Sequence, residues 1–275
     1  MKIAPLIHSR TLHCDFNPNF AVRPDDLDVD WAMKKVLQST SDIDILNGVR
    51  WLTASNGQTV IVGIACNLKF FIERYVPEAA AEAEKYFHDE RGREIKVFLG
   101  YVFKGDGVPN VSCKDLWQMF EENMSKVWEF KVAETVSVPY RDCGTKSVSD
   151  KVKPVETIDG VDFYISGEDS DEKILTQCIA EHKNFCSNAD QFKIIASREF
   201  NVISTSRGNI ERFKAEPEKK TPPPVQTAAP PTNTTTSTSR SPAIRNSKES
   251  SSKKRPVIVA GIIVVILIIL KFLLT

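Results

Sequence analysis

The sequence predicts an α+β domain with a mixed or mostly antiparallel sheet and packed helices, followed by a disordered linker and one C-terminal transmembrane helix. Three observations predict it. Strand and hairpin patterns alternate with helical periodicity through residues 1–213, residues 214–255 are rich in proline, serine and threonine, and residues 256–275 are almost wholly apolar. Strand and helix patterns mixed with tight-turn signals are typical of a sheet layered against helices. Whether residues 1–213 form one domain or two, divided near residues 148–153, stays open.

Local patterns place the elements of this body. Asp25, Asp26, Asp28 and Asp30 precede the first helix and complement its dipole, and Asn56-Gly57 is a hairpin signal between two strands. Pro77 suits the first turn of an alanine-rich helix. The predicted elements of the first half are a helix at Trp31–Leu37, strands at Val49–Ala54 and Thr59–Ala65, a helix at Pro77–His88 and a strand at Ile95–Phe103.

The second half begins with an amphipathic helix, in which large apolar residues recur at helical spacing from Leu116 to Trp128. Ser170 is the expected cap of a later helix that runs to Cys186, with Asp171 and Glu172 in its first turn. The remaining predicted elements are strands at Ala133–Val138, Val155–Ile158, Val161–Ile165, Phe192–Ala196 and Phe200–Ser204, and a short helix at Asn209–Phe213.

Charge separates the body from the linker, although the whole chain is neutral, with 36 basic and 36 acidic side chains. Residues 1–215 carry 27 basic and 33 acidic side chains, whereas residues 216–255 carry 8 and 3. Thr221–Ser252 contains 6 Pro, 7 Thr and 7 Ser, which is typical of a disordered tether. An acidic body lacks the excess of basic residues that is typical of a nucleic-acid-binding domain, so we expect no nucleic-acid partner.

The apolar C-terminal run predicts a membrane anchor. Val257–Leu270 is unbroken, and the run reaches Leu274 beyond a single charge at Lys271, giving eighteen residues. As a helix it spans roughly 27 Å, close to the hydrocarbon thickness of a bilayer, and Lys271 is near enough to its end to reach the headgroups. The lipid bilayer is therefore the first predicted partner.

Two features predict that the body faces the cytosol. Lys253, Lys254 and Arg255 abut the near side of the anchor, and positive residues stay on the cytoplasmic side. The apolar run at Ile3–Ile7 is broken by Pro5 and is too short for a signal peptide. The expected arrangement resembles the tail-anchored class, which is a topological class, and the choice of membrane stays open.

Cysteine usage fits a reduced cytosolic body: six cysteines are spread without a CxxC pair, and we expect free thiols. Cys178, His182 and Cys186 recur at i, i+4 and i+8, a spacing that invites a zinc hypothesis. On one helix, however, they would climb about 12 Å, too far for one tetrahedral ion. Core packing is the favoured interpretation, and we expect no metal and no cofactor.

Two further groups of polar residues resemble parts of catalytic sites. Asp42 and Asp44 alternate as in nucleotidyltransferases that hold two magnesium ions, but the Gly-Ser turn of that family is missing. His8, His13, Cys14 and Asp15 contain the ingredients of a Cys/His nucleophile, yet adjacent residues on a strand point to opposite faces. His88–Arg91 is interpreted as a solvated polar turn.

The common nucleotide, dinucleotide, zinc-protease and serine-hydrolase signatures are missing from the sequence. The leading hypothesis is therefore a protein-interaction or sensing module held at the membrane, with a protein partner of the cytosolic domain. Two alternatives stay open. One is an effector that perturbs the bilayer by oligomerising its transmembrane helix, and the other is a membrane-tethered enzyme without a recognised motif.

Overall fold

The computed structural model describes residues 1–16, 19–40, 48–148, 151–189, 195 and 199–215, all within one compact unit. It contains a mixed sheet and packed helices, which confirms the α+β prediction for the body. No helix of the described residues is long and apolar enough to cross a membrane. The predicted anchor and almost all of the linker lie outside the described residues.

Eleven strands form the main sheet in the order β10-β11-β13-β12-β3-β4-β5-β1-β2-β7, with β8 also pairing with β1, and β6 and β9 form a second small sheet. The strands are β1 Lys2–Ser9, β2 Val22–Arg23, β3 Val49–Ser55, β4 Thr59–Asn67, β5 Lys96–Lys104, β6 Val108–Pro109, β7 Val136–Ser137, β8 Arg141–Asp142, β9 Thr145–Lys146, β10 Glu156–Ile158, β11 Val161–Ile165, β12 Phe185–Cys186 and β13 Val202–Thr205. The helices are α1 Val29–Thr40, α2 Leu68–Tyr75, α3 Ala80–Ala83, α4 Cys113–Met124, α5 Glu168–Ala180 and α6 Arg207–Ala215.

The direction of the strands changes across the sheet. Long antiparallel strands β3, β4, β5 and β1 form its centre, whereas β11, β13 and β12 run parallel to one another. Helix α5 connects β11 to β12, so these three elements form a βαβ unit in which β13 lies between the two strands. Strand β12 is parallel to β13 on one side and antiparallel to β3 on the other, so the parallel part of the sheet ends at β12. The candidate site described below lies at the carboxyl ends of these parallel strands.

Alternating side chains bury both faces of the sheet. On β5, Val97, Leu99 and Tyr101 belong to one apolar cluster, and Phe98 and Val102 belong to the other. Helices α2, α4 and α5 cover the first face, and α1 and α6 cover the second. Because both faces are covered, the central strands contain nearly continuous apolar runs, as expected for buried strands.

Capping residues explain where two predicted helices begin. The Asp28 carboxylate accepts a hydrogen bond from the Trp31 amide at 3.1 Å, so Asp28 caps α1. Ser112 and Asp115 form a reciprocal capping box that begins α4. Both observations confirm predicted helices, the first indicated by its leading aspartates and the second by its apolar periodicity.

The hairpin predicted at Asn56-Gly57 is confirmed, since β3 pairs antiparallel with β4 on either side of it. Two local predictions are wrong. The alanine-rich segment after Pro77 is not one helix, because it contains two 3₁₀ turns around the four-residue helix α3. Helix α5 has Gly167 as its N-cap and ends at Ala180, so Cys186 is a strand residue. The chain leaves the helix because His182 adopts a left-handed conformation with φ 52°.

Candidate functional site

The candidate site is a groove along α5, which we call the α5 groove. It contains an enclosed cavity of about 120 Å³ and a more open recess of about 350 Å³, and the Tyr75 side chain lines both. Residues lining the enclosed cavity include Trp51, Val62, Tyr75, Tyr101, Ser112, Cys113, Leu116, Lys146, Glu172, Leu175, Thr176 and Ile179. Residues lining the recess, which we call the Asp171 recess, are Gly48, Val49, Phe70, Arg74, Tyr75, Ser166, Gly167, Asp171 and Asn188.

The enclosed cavity lies between the sheet and the N-terminal end of α4. Trp51 and Tyr101 face it from β3 and β5, while Leu175 and Ile179 face it from α5. At its edge, Lys146 and Glu172 also line a neighbouring open depression of about 350 Å³. Apolar and aromatic walls with a small number of polar groups are the usual lining of a small-molecule pocket.

The Cys113 thiol and the Tyr101 hydroxyl of this cavity stay protonated near neutral pH. Burial raises the pKa of the Cys113 thiol to about 11, and burial also raises the pKa of the Tyr101 hydroxyl. A thiol in this state is a weak nucleophile, because the thiolate is the reactive species. The arrangement therefore suits binding better than covalent catalysis.

The Asp171 recess contains a carboxyl group whose pKa lies close to neutral pH. Asp171 is only 6% exposed, and burial raises its pKa from 3.8 to about 6, although Ser204 and Gly167 donate hydrogen bonds that oppose the rise. Its Oδ1 atom has no hydrogen-bond partner among the described residues. A buried carboxylate oxygen without a donor is unusual and marks a candidate functional group.

The position of the recess follows from the topology of the parallel strands. Ser166 and Gly167 follow the carboxyl end of β11, Asn188 follows that of β12, and α5 begins at the same edge. Asn188 adopts φ 47°, a backbone conformation that few non-glycine residues tolerate. Ligands of open α/β sheets bind in crevices outside the carboxyl ends of strands, near a change in strand order.

The zinc hypothesis for Cys178, His182 and Cys186 fails, as the spacing predicts. Cys178 and Cys186 are buried in clusters on opposite faces of the sheet. His182 Nε2 lies 3.8 Å from a carboxylate oxygen of Asp106. Within the described part of the chain, no group of three potential ligands could hold a metal ion.

The residues of the Cys/His hypothesis have separate partners. His8 is buried on β1 and stacks on Phe16, and Cys14 donates from Sγ to the Phe130 carbonyl at 3.4 Å. His13 Nδ1 lies 2.6 Å from Glu90 Oε2. These contacts hold the N-terminal segment against neighbouring loops, which is a structural role.

The His88–Arg91 turn is less solvated than expected. Asp89 is buried because its carboxylate accepts hydrogen bonds from the Arg91 and Arg93 amides and from Arg93 Nε. The interpretation as a solvated polar turn is therefore wrong for Asp89, which organises the turn from inside.

Several predicted residues lie outside the described residues. They are Asp42 and Asp44 of the alternating pair, the topology-determining residues Lys253, Lys254 and Arg255, and the anchor residues Val257, Leu270, Lys271 and Leu274.

The sequence prediction missed Asp171 as a functional residue and interpreted it as a first-turn charge that complements the helix dipole. A periodic signal exists, because Asp171 is in phase with Ile174, Leu175 and Cys178, which are buried on the same face of α5. A carboxylate at an inward-facing position of an amphipathic helix is unusual enough to single out.

Comparisons of the chain with protein-family models, curated proteins and solved structures found no match. The α5 groove is therefore interpreted from its own geometry and chemistry.

Proposed function

We propose that this chain is a tail-anchored, single-pass membrane protein whose cytosol-facing domain senses a small ligand through the α5 groove and passes that state to a protein partner. The enclosed cavity of about 120 Å³ is the observation that carries the sensing part. Since a cavity of about 150 Å³ holds benzene, this smaller one suits a short aliphatic group or a ligand of similar size. The anchoring part rests on the apolar run Val257–Leu274 and its basic flank.

The composition of the cavity favours binding over turnover. Trp51, Tyr75 and Tyr101 offer aromatic contact area, and Lys146 and Glu172 can orient a polar end of the ligand at the opening. Burial first, and then the nearby Glu172 carboxylate, raise the pKa of the Cys113 thiol to about 11, so the thiol stays protonated near neutral pH. Anchoring the domain raises its effective concentration near membrane partners. A sensing module gains from this without catalysing a reaction.

A cavity-filling variant tests the sensing part. In full-length protein in detergent, a fragment library is screened for compounds that raise the melting temperature of the wild type. We expect Thr176→Trp, which fills the cavity, to abolish the shift. Gln118→Trp, on the exposed face of α4, should retain it. A library without hits, or hits that bind Thr176→Trp equally well, would count against the proposal.

Membrane fractionation tests the anchoring part. We expect full-length protein to float with liposomes and to resist extraction by alkaline carbonate, because the anchor is held by hydrocarbon. A variant with two charged residues in the centre of the anchor, Val264→Arg and Ile268→Arg, should stay in the soluble fraction. Wild-type protein in the supernatant would refute membrane anchoring.

An anchor exchange separates the sensing module from the effector alternative. A module survives replacement of Val257–Leu274 by an unrelated transmembrane helix, whereas an effector that oligomerises through this helix does not. Ala260-Gly261 offers one close-packing point for such oligomerisation. The enzyme alternative predicts substrate turnover that is independent of the anchor.

A further inference from the structure

We propose that the enclosed cavity binds a free L-amino acid with an aliphatic side chain, with its ammonium group on Glu172 and Thr176 of α5 and its carboxylate on Lys146 of β9. The inference rests on the proposed sensing function and names the ligand class of the same cavity. It starts from three features of the lining, which are apolar walls, two hydrogen-bond acceptors on α5 and one cation on β9.

The volume of the cavity limits the side chain of the ligand. At about 120 Å³, the cavity is smaller than the roughly 150 Å³ that holds benzene. The branched side chains of valine, leucine and isoleucine suit this space, whereas the rings of phenylalanine and tryptophan exceed it. The apolar contacts come from Val62, Leu116, Leu175 and Ile179, which line the cavity.

Helix α5 supplies two acceptors for the ammonium group. Thr176 Oγ1 donates its only proton to the Glu172 carbonyl at 2.9 Å, so towards a ligand this hydroxyl can act only as an acceptor. The Glu172 carboxylate belongs to the same helix face, because the two residues are four positions apart. Both residues line the cavity and the neighbouring open depression, so they lie where the two spaces meet. An ammonium group there gains a charge-assisted hydrogen bond.

Strand β9 supplies the cation for the carboxylate. Lys146 is paired with Val108 of β6 and lines the same two spaces as Glu172 and Thr176. In the described part of the chain, neither the Lys146 nor the Glu172 side chain has an ion-pair partner within 4.0 Å. The two groups therefore do not neutralise each other, and each can pair with a ligand.

The Cys113 thiol, which lines the cavity, reports that both charges are close to it. Burial raises the pKa of this thiol most, the Glu172 carboxylate raises it further, and the Lys146 ammonium lowers it. A carboxylate and an ammonium that act on the same thiol lie near one another without touching. A ligand headgroup that carries both charges fits between them.

The two unpaired charges match a zwitterion better than a simple ion. A simple amine would bring a second cation beside Lys146, and a simple acid would bring a second anion beside Glu172. An α-amino acid carries both charges on one carbon, together with the side chain that fills the cavity. Because three groups of the ligand then meet three fixed positions, we expect the site to distinguish the L from the D enantiomer.

Calorimetry on the full-length protein in detergent measures the binding of aliphatic and aromatic L-amino acids. We expect valine, leucine or isoleucine to bind most tightly, and phenylalanine and tryptophan to bind about tenfold more weakly or worse. The D enantiomer, the decarboxylated amine and the deaminated acid of the best binder are then compared with it. Each should bind about tenfold more weakly, the effect of losing one charged hydrogen bond.

Three variants identify which charge meets which residue. Lys146→Gln should weaken the amino acid and the acid about tenfold without weakening the amine. Glu172→Gln should weaken the amino acid and the amine without weakening the acid. Thr176→Val, which keeps the side-chain shape and removes the acceptor, should act in the same direction as Glu172→Gln. All three positions are exposed or half-buried, so the variants should fold.

The matched controls are Lys69→Gln and Glu73→Gln, which remove the same two charges from the exposed surface of α2. Both should bind the amino acid within about twofold of wild type. Thr176→Trp, which fills the cavity, should abolish amino-acid binding. Binding that survives Thr176→Trp would place the amino acid elsewhere and overturn the inference.

Three further results would overturn the inference: no aliphatic amino acid binds at millimolar concentration, Lys146→Gln and Glu172→Gln both bind as tightly as wild type, or the amine or the acid binds as tightly as the amino acid. The last result would make the cavity a site for a simple aliphatic ion. Any of these results, with the fragment response of the wild type intact, would refute this inference alone. The absence of both amino-acid binding and fragment hits would refute the sensing function as well.

Discussion

Glu199 Oε2 lies 2.7 Å from Lys35 Nζ, and the side chain of Lys35 is only 8% exposed. The other oxygen of Glu199 lies 2.9 Å from Lys34 Nζ, at the surface. Hydrogen bonds from Lys35 first, and then from Lys34, lower the pKa of Glu199 from 4.5 to about 2. The interaction ties α1 to the segment that leads into β13, so it connects one helical layer to the parallel part of the sheet.

We expect Glu199→Gln to lower the free energy of unfolding by about 2 kcal/mol near neutral pH, because Lys35 loses its charged partner in a buried place. Lys34→Gln, which removes the exposed partner, should cost about 0.5 kcal/mol or less. Urea denaturation followed by circular dichroism measures both values. Equal losses in the two variants would contradict the distinction between buried and exposed partners.

The pH dependence of this pair follows from the depressed pKa. The stabilisation by the Glu199 carboxylate is fully present above the unfolded-state pKa of 4.5, and it is lost as the pH falls towards about 2. The stability difference between wild type and Glu199→Gln should therefore narrow between pH 4.5 and 2. A difference that stays constant over this range would exclude the carboxylate as its source.

Asp171→Asn should stabilise the protein at neutral pH, which is the opposite of the effect at Glu199. The folded-state pKa of about 6 lies above the ordinary 3.8, so folding disfavours the ionised form. The resulting loss of folding free energy is absent below pH 3.8, grows between pH 3.8 and 6, and is complete above pH 6. We expect a gain of about 1 to 3 kcal/mol at pH 8 that vanishes by pH 3.5.

The matched control for Asp171 is Asp169→Asn, which changes an exposed carboxylate in the first turn of the same helix. Its effect should stay within about 0.5 kcal/mol at both pH values. A stability penalty at Asp171 that disappears on substitution is the pattern expected of a residue kept for function. Destabilisation by Asp171→Asn at pH 8 would remove that interpretation.

Two opposed glycines allow the Phe98 ring to pack on the centre of the sheet. Gly63 on β4 and Gly100 on β5 are register partners, and a Cβ at Gly100 would lie 2.5 Å from the Val62 carbonyl oxygen and 2.8 Å from Phe98 Cε1. A Cβ at Gly63 would lie 2.6 Å from the Leu99 carbonyl oxygen. Both positions are therefore closed to any side chain unless the backbone moves.

Gly100→Ala should cost about 1 to 3 kcal/mol, the usual range for overpacking. Gly208→Ala is the control, since a Cβ there meets nothing within 4 Å and the residue lies in α6. It should raise stability by about 0.5 to 1 kcal/mol, because alanine favours the helix. Melting temperatures that move in the same direction for both variants would contradict the close approach at Gly100.

Sequence patterns predict the elements that local residues determine. Helix α4 has a capping box and an apolar stripe within one segment, and the β3–β4 hairpin has alternating apolar residues around Asn56-Gly57. Strand β1 escapes prediction because Pro5 interrupts its apolar run. The fold accommodates Pro5, since β2 and β8 pair with β1 at its two ends, away from that residue.

The candidate site depends on contacts between residues far apart in the chain, so local patterns do not show it. The Asp171 carboxylate is bonded to Ser204, which β13 supplies some thirty residues later in the chain. The end of α5 is equally hidden, because no glycine marks the left-handed residue, which is His182. Both features follow from the parallel arrangement of β11, β13 and β12.

Thiol labelling can report on the enclosed cavity, because the cysteines differ in burial. Cys66, Cys178 and Cys186 are buried, whereas Cys14, Cys113 and Cys143 are partly exposed. Burial raises the pKa of Cys178 and of Cys186 to about 12, and that of Cys113 to about 11. Since the thiolate reacts, the buried cysteines should be inert in the native protein.

We expect a maleimide at pH 7.5 to label Cys14 and Cys143 first, Cys113 more slowly, and the three buried cysteines only after unfolding in denaturant. A fragment in the enclosed cavity should slow labelling of Cys113 alone, because Cys113 lines that cavity and the other two exposed thiols do not. Peptide mapping by mass spectrometry resolves each site. Thr176→Trp should slow the maleimide labelling of Cys113 in the same way without a ligand, and Gln118→Trp should leave the labelling rate of Cys113 unchanged.

Labelling of Cys178 as fast as Cys14 in folded protein would contradict the burial of α5 against the sheet. It would also contradict the position of the cavity, which α5 lines.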